Sequence, residues 1–176
     1  MQSKLIKDPV FGFIKIDNQF VLRALDTAEF QRLRNIQQTS YTSLYPAAVH
    51  NRFLHSIGVY HLGNKVISAL LSNMDEDVRI ILSKHIDTFL LACLLHDVGH
   101  APFSHSGENF FLQAKDESRN PAIYSLLNEV VNDSDFSEDM KAIHKENGPG
   151  PAKAHEIMSA VIGLQLLDKK ALMTLN

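Results

Sequence analysis

The hydrophobic pattern of the chain centres on one apolar run, Leu90–Leu95, in which polar and apolar positions do not alternate. Such a run is typical of a helix that is buried on every side. Gly99 and Pro102 come soon after it and predict its end, because neither residue continues a helix well. Three ionisable residues lie between the run and Pro102, and they are His96, Asp97 and His100. The sequence therefore predicts a polar cluster at the C-terminal end of the most buried helix.

A second long helix is predicted over residues 50–72, where apolar residues recur at spacings of three and four. The side chains expected on its buried face are His55, Val59, Leu62, Val66 and Leu70. Phe11–Ile16 alternates like a short strand, and residues 20–25 fit either a second strand or, as we favour, a helical turn. Further helices are predicted over residues 26–36, 121–131 and 152–167. Loops or links are predicted over residues 37–48, 73–84, 101–108 and 132–151. The link over residues 73–84 is expected to contain a short amphipathic turn at Val78, Ile80 and Ile81, and residues 132–147 allow one exposed helix before a rigid break at residues 148–151.

Size and composition restrict the class of protein. The 176 residues are enough for one domain, which we take as residues 1–176. The net charge of −3 and the absence of a basic run argue against a general nucleic-acid surface, although not against a local pocket for a small anion. The longest apolar run is well short of the roughly 20 residues that cross a membrane. One cysteine, Cys93, and no export signal predict a reducing, cytoplasmic location.

His55, His96 and Asp97 together offer two imidazole nitrogens and one carboxylate. A structural zinc site prefers four cysteine or histidine ligands, and the chain has one cysteine. Mixed nitrogen and oxygen ligands with an open position suit Mn, Fe, Ni, Co or catalytic Zn, and the sequence does not choose among them. A metal at such a site makes a bound water more acidic and so provides a nucleophile near neutral pH. The simpler alternative is a structural hydrogen bond between an aspartate and a histidine.

Several proton carriers and one arginine accompany these residues. The carriers are His100, His105, Glu108, His155 and Glu156. Pairs of histidine and carboxylate work as acids and bases, and the fork of Arg52 can hold a phosphoryl oxygen. This combination favours hydrolysis of a phosphate ester or anhydride over acyl chemistry. No glycine-rich phosphate loop and no G-x-S-x-G motif is present.

Five ordered segments resemble the HD-domain metal-dependent phosphohydrolases, in the branch of the deoxynucleoside triphosphate triphosphohydrolases. The segments are Asp8–Gly12, Phe30–Arg34, His50–Val59, His96–His105 and the pair His155-Glu156. The resemblance implies an all-α HD-domain helical bundle with a small N-terminal β element, and frequent homo-oligomers. It also implies a divalent metal ion, whether Mn, Fe, Ni, Co, Zn or Mg, as cofactor.

The resemblance also implies the roles of individual residues. Metal ligands would be His55, His96 and Asp97. The catalytic pocket would be lined by His100, His105, Glu108, His155 and Glu156, and substrate would be contacted by Arg52 and Gln38. His105 is our candidate for the general acid, with Glu108 or Glu156 favouring its protonated form, and the alternative is that His155 takes this role or holds the substrate phosphates.

Two positions depart from the family pattern. Leu54 stands where relatives commonly carry glutamate, which does not affect the ligand set. The family's fourth metal ligand is a distal aspartate, and nothing after residue 156 matches its surroundings, since Asp168 resembles an ordinary helix end. We therefore expect the chain to be the N-terminal part of a longer protein.

The leading hypothesis is a metal-dependent hydrolase that splits a deoxynucleoside triphosphate, as its nucleotide substrate, into deoxynucleoside and triphosphate. Two alternatives stay open at this point. One is a nucleotide-binding or assembly module with a catalytically idle pocket, and the other is an HD-type cyclic nucleotide phosphodiesterase.

Overall fold

The structure, a computed structural model, describes residues 3–39, 44, 49–111, 121–131, 133, 135 and 152–171. Its elements are, in chain order, β1 (Lys4–Asp8), β2 (Gly12–Ile16), α1 (Gln19–Leu25), α2 (Ala28–Gln31), a 3₁₀ turn (Arg32–Asn35), α3 (Arg52–Asn73), α4 (Glu76–Ser83), α5 (Ile86–Leu95), α6 (His105–Phe111), α7 (Pro121–Val131) and α8 (Ala154–Ala171). The predicted fold class, helical with a small N-terminal β element, is confirmed. Two compact units divide the chain, Met1–His96 and Asp97–Asn176, and each is described by itself.

The first unit opens with a β-hairpin. Strand β1 pairs antiparallel with β2, so that Lys4 lies opposite Ile16 and Asp8 opposite Gly12. The Asp8 carboxylate accepts hydrogen bonds from the backbone N–H groups of Val10 and Phe11, at 2.8 and 2.9 Å, and so closes the turn. β2 confirms the predicted strand. β1 was not predicted, because a five-residue strand with two lysines and an aspartate is defined by its pairing rather than by its pattern.

Side-chain caps set the next two helices. Asn18 accepts from the backbone N–H groups at the start of α1, so residues 20–25 are helical, as we favoured. The Thr27 hydroxyl accepts from the N–H of Phe30 and begins α2. The helix predicted over residues 26–36 is therefore present, but it tightens after one turn into the 3₁₀ turn.

Helix α3 begins at Arg52, two residues later than predicted, and its buried face is not the predicted one. The Asn51 side chain caps it by accepting from the N–H of Leu54 at 3.0 Å. The buried side chains include Phe53, Ile57, Tyr60 and Ile67, whereas Leu62, Val66 and Leu70 are 47%, 50% and 40% exposed. The predicted apolar stripe is thus wrong over most of its length. Both stripes have helical spacing, and the core takes the one with the larger aromatic side chains, which spacing alone could not select.

Helix α5 contains the apolar run, and it packs against α3. Leu90, Leu91, Leu94 and Leu95 are buried, but Ala92 is exposed, so burial on every side was wrong. The helix begins at Ile86, with His85 at its cap position. Gly63 of α3 lets the two helices come close, since an added Cβ there would lie 2.9 Å from Cys93 Sγ.

The link predicted over residues 73–84 contains a helix, α4. Its apolar residues Val78, Ile80 and Ile81 are all exposed, so the amphipathic turn we expected is helical but does not enter a core. Among the helices in the described ranges, none is long and apolar enough to cross a membrane.

The second unit contains α6, α7 and α8. Helix α7 has the predicted bounds, and α8 begins two residues later than predicted. The two pack through a small core of Ile123, Leu127, Ile157 and Val161. The loop predicted over residues 101–108 gives way to α6 at His105. Most of the predicted loops over 37–48 and 132–151 lies outside the described residues.

Candidate active site

Two histidines of the first unit face each other at the ends of α3 and α5. His55 lies on the first turns of α3, and His96 directly follows α5. Their Nε2 atoms are 3.3 Å apart. The Nδ1 of His96 lies 3.0 Å from the backbone carbonyl of Cys93. Because a carbonyl oxygen only accepts, Nδ1 carries the proton and the lone pair of His96 is on Nε2, toward His55.

This arrangement fits a shared metal ion. Two imidazole nitrogens that bind one ion at about 2.0–2.1 Å stand about 3.3 Å apart at a tetrahedral angle. A metal-binding histidine also usually donates its other N–H to a carbonyl or carboxylate, as His96 does to Cys93. The next residue in the chain is Asp97, the first residue of the second unit, and it is buried. The donor set of His55, His96 and Asp97 is therefore chemically suited to a divalent ion.

The second unit holds a cluster of three histidines around one carboxylate. His105 Nδ1 lies 2.7 Å, and His155 Nδ1 2.9 Å, from the same oxygen of Glu108. His100 Nδ1 is 3.8 Å from that oxygen, and its Nε2 is 3.4 Å from Asp97 Oδ1. The ring of His100 stacks on that of His155, with centroids 3.9 Å apart and planes 15° apart. We call these four residues, His100, His105, Glu108 and His155, the histidine cluster.

The histidine cluster is close enough to suggest a second metal, since its donor atoms lie within 4.8 Å of one another. The distances favour a hydrogen-bonded network instead. Ligands of one zinc ion would stand about 3.3 Å apart, whereas the Glu108 contacts of 2.7 and 2.9 Å are hydrogen-bond lengths. Both Nδ1 atoms donate to Glu108, so Nε2 is the ring nitrogen of His105 and of His155 that can exchange a proton with a ligand.

Glu108 is the electrostatic centre of the cluster. Burial raises the pKa of its carboxyl, but the hydrogen bonds and positive charges of His155 and His105 outweigh that effect and leave the pKa below its ordinary value. Glu108 is therefore an anion at neutral pH. The side chain of His155 is 7% exposed and that of His105 58%, so His105 is the more accessible partner.

A tight turn precedes His105 and positions it beside Glu108. Phe103 and Ser104 have φ values of 65° and 55°, in the left-handed region that non-glycine residues rarely adopt. Such conformations cost of order 1–3 kcal/mol each and collect at functional sites. The turn starts α6 at His105, and the spacing of three then puts Glu108 on the same helix face.

Glu156 does not join the histidine cluster. Its side chain is exposed, and its carboxylate accepts from the backbone N–H of Lys153 at 2.8 Å. This is the reach-back bond of a capping box, which stabilises the start of α8. Of the two carboxylates that we considered as partners of His105, the described contacts give Glu108 that position.

The two predicted substrate contacts lie near the start of α3. Arg52 is only 3% exposed, and its backbone N–H donates to the carbonyl of Ile36 at 2.8 Å. Gln38 donates its backbone N–H to the carbonyl of His50 at 3.1 Å. These bonds hold the segment of Gln38 beside the first turn of α3. Arg52 is one turn before His55 on α3. The predicted substrate contact and the candidate metal ligand therefore lie at the same end of that helix.

Sequence reasoning missed two features of this region. The first is the backbone carbonyl of Cys93, which orients His96. The two residues are three apart at the end of a helix, and this spacing could have predicted their contact. The hydroxyl of Ser159 accepts from the backbone N–H of Gly99 at 2.8 Å. The spacing of four between His155 and Ser159 places both on one face of α8, but the sequence did not indicate what they meet.

Comparison with known proteins agrees with these motifs. The family model of the HD domain matches residues 52–173. A Mycoplasma pneumoniae protein described as uncharacterized is 36% identical over 156 residues, which are 86% of this chain and 34% of the relative. The SAMHD1 homolog of Dictyostelium discoideum, named a deoxynucleoside triphosphate triphosphohydrolase, is 34% identical over 77% of this chain and 27% of its own length. The zebrafish enzyme of that name is 41% identical over 62% of this chain and 17% of its own.

The chain belongs to the HD domain family, and its sequence is similar to the triphosphohydrolase branch of that family. It spans about a third or less of the length of the curated relatives it matches.

Proposed function

We propose that the protein is a metal-dependent phosphohydrolase that acts on nucleotides, most specifically on deoxynucleoside triphosphates. The observation that carries the proposal is the pair of facing Nε2 atoms of His55 and His96, with the tautomer of His96 fixed by the Cys93 carbonyl. Such an orientation is what a shared ion requires of its two imidazole ligands.

His55, His96 and Asp97 would hold the ion. A divalent ion at this set supplies Lewis acidity and makes a water acidic enough to attack at neutral pH. Asp97 contributes the only negative charge of the three. Which metal is bound, among Mn, Fe, Ni, Co, Zn and Mg, does not follow from this mixed donor set.

The histidine cluster would supply the proton for the leaving oxygen. His105 has the accessible imidazole, and Glu108 accepts from its Nδ1, which leaves Nε2 as the ring nitrogen that can pass a proton to a substrate. His155 shares the same carboxylate from a buried position. We therefore assign His105 as the general acid, while His155 and His100 orient and stabilise the network.

The proposed substrate class rests on the positive charge of Arg52 and on the names of the matched relatives. The buried guanidinium of Arg52 is a forked donor suited to a phosphoryl oxygen. Two of the matched relatives are named as deoxynucleoside triphosphate triphosphohydrolases. We propose the corresponding reaction here, cleavage into deoxynucleoside and triphosphate, with Gln38 as a second substrate contact.

A substrate panel tests this proposal. The protein is incubated with each candidate metal and with deoxynucleoside triphosphates, ribonucleoside triphosphates, a cyclic nucleotide and a simple phosphomonoester. Release of triphosphate from deoxynucleotides, lost in Asp97→Ala and kept in a variant of the exposed His85, His85→Ala, is the expected result. Hydrolysis of only the cyclic nucleotide would indicate a phosphodiesterase instead. Nucleotide binding without hydrolysis of any substrate would indicate an idle module and contradict the proposal.

A further inference from the structure

A buried hydrogen bond in the second unit joins the segment after Asp97 to helix α8. The backbone N–H of Gly99 donates to the Oγ of Ser159 at 2.8 Å. Both residues are buried, and Ser159 is 5% exposed. A buried backbone N–H that loses its acceptor is strongly penalised, so this bond holds the two segments together.

The contact is too close for any side chain at Gly99. A Cβ there would clash with the backbone N of Ser159, and it would lie 2.5 Å from the carbonyl oxygen of His155 and 2.7 Å from the carbonyl carbon of Met158. All three are backbone atoms of α8, which a side-chain rotation cannot move aside. Gly99 thus does more than end a helix, because its missing Cβ lets the segment lie directly on α8.

The hydrogen bond between Gly99 and Ser159 lies close in sequence to residues that we assign to the reaction. Gly99 is two residues after Asp97 and one before His100, while His155 is one turn before Ser159 on α8. The His100 and His155 rings stack at 3.9 Å across the same contact. The hydrogen bond from His155 to Glu108 holds the His155 ring. The hydrogen bond from Gly99 to Ser159 in addition restrains the backbone next to His100 against α8.

We propose that Ser159 is a positioning residue for the hydrolytic reaction. Its hydroxyl fixes Gly99 on α8, and through Gly99 it sets the Asp97 carboxylate and the His100 imidazole relative to His155. Ser159 itself touches no substrate. The catalytic consequence rests on the proposed function, whereas the restraint on Gly99 does not.

The first test measures the restraint without any assay of activity. Ser159→Ala removes the acceptor, and Val161→Ala removes a buried side chain two residues away on α8 as a control. Amide hydrogen exchange of Gly99 is expected to speed up at least tenfold more in Ser159→Ala than in Val161→Ala, because Val161→Ala weakens the core of α8 without removing the acceptor of the Gly99 N–H. Unchanged Gly99 exchange in Ser159→Ala would overturn the proposal, whatever the protein hydrolyses.

The second test measures the reaction at saturating metal. Misplacement of catalytic groups by about 1 Å can lower a rate about 100-fold, so Ser159→Ala is expected to lose about 10- to 100-fold in kcat with KM nearly unchanged. Ser159→Thr keeps the hydroxyl and should recover most of the loss. If Val161→Ala, with a similar fall in Tm, loses as much kcat, the effect is general instability and the positioning role is wrong. Should wild type hydrolyse no nucleotide, the proposed function fails, while the exchange test still decides whether Ser159 restrains Gly99.

Discussion

His55 and His96 direct their Nε2 atoms at each other across 3.3 Å, although they come from different helices and are 41 residues apart. The close packing of α3 on α5 at Gly63 and Cys93 provides the approach, and the Cys93 carbonyl fixes the ring of His96. Cys93 of α5 thus contributes both to the packing of α5 on α3 and to the orientation of His96. The two imidazoles proposed as metal ligands are therefore positioned by the helix packing of the first unit.

His105→Ala tests the assignment of the general acid. The variant is expected to lose about 10²- to 10⁴-fold in kcat, the usual contribution of such a group, with metal content equal to wild type. Ser106→Ala, which changes an exposed neighbour at the start of α6, should keep kcat within about threefold. A His105→Ala protein with wild-type kcat, or one that loses its metal, would show that His105 does not act as the acid.

Glu108→Gln tests the charge at the centre of the histidine cluster. The Glu108 pKa is lowered in the folded protein, so its carboxylate stabilises the fold at pH values above the ordinary value of about 4.3. That contribution is lost as the pH falls through the lower folded pKa. Hydrogen bonds to charged groups contribute about 1.5–3 kcal/mol each, so Glu108→Gln should be less stable than wild type by about that amount at pH 7.

Urea unfolding of wild type and Glu108→Gln, at neutral pH and again in acid, provides the measurement. The difference in unfolding free energy between the two proteins should shrink as the pH falls below about 4.3. A difference that stays constant with pH, or grows in acid, would mean that the folded protein does not hold Glu108 as a stabilised anion.

Ile57→Ala and Leu62→Ala test which face of α3 is buried. Ile57 is fully buried and Leu62 is 47% exposed, five residues further along the same helix. Truncating a buried isoleucine costs about 2–5 kcal/mol, whereas surface substitutions usually change stability by about 0.5 kcal/mol or less. Chemical denaturation should therefore find a large loss for Ile57→Ala and a small one for Leu62→Ala. A larger loss of stability for Leu62→Ala than for Ile57→Ala would mean that Leu62, Val66 and Leu70 form the buried face, as the sequence predicted.

The sequence was most informative where local signals decide the outcome. Strand β2 and helix α7 follow from alternation and from a proline at the first turn. It was least informative where tertiary packing decides. The core face of α3 depends on what packs against Phe53, including Phe30 at a ring distance of 5.4 Å and the guanidinium of Arg34 at 3.6 Å.

The candidate site shows the same division. Motif spacing was sufficient to nominate the histidines and carboxylates, because the residue types carry the chemistry. Spacing could not separate Glu108, which contacts His105, from Glu156, which caps α8. Nor could it indicate that Ser159 meets Gly99, since that contact joins residues 60 positions apart.

Metal content is the measurement that tests the central claim most directly. Protein reconstituted with each divalent metal in turn and freed of loosely bound ions is analysed by mass spectrometry of its elements, together with His55→Ala, Asp97→Ala and the exposed control His85→Ala. We predict stoichiometric metal in wild type and His85→Ala, a large loss in His55→Ala, and none in Asp97→Ala, which lacks the only anionic ligand of the set. Wild-type protein that retains no divalent metal, or stoichiometric metal in both ligand variants, would contradict the account.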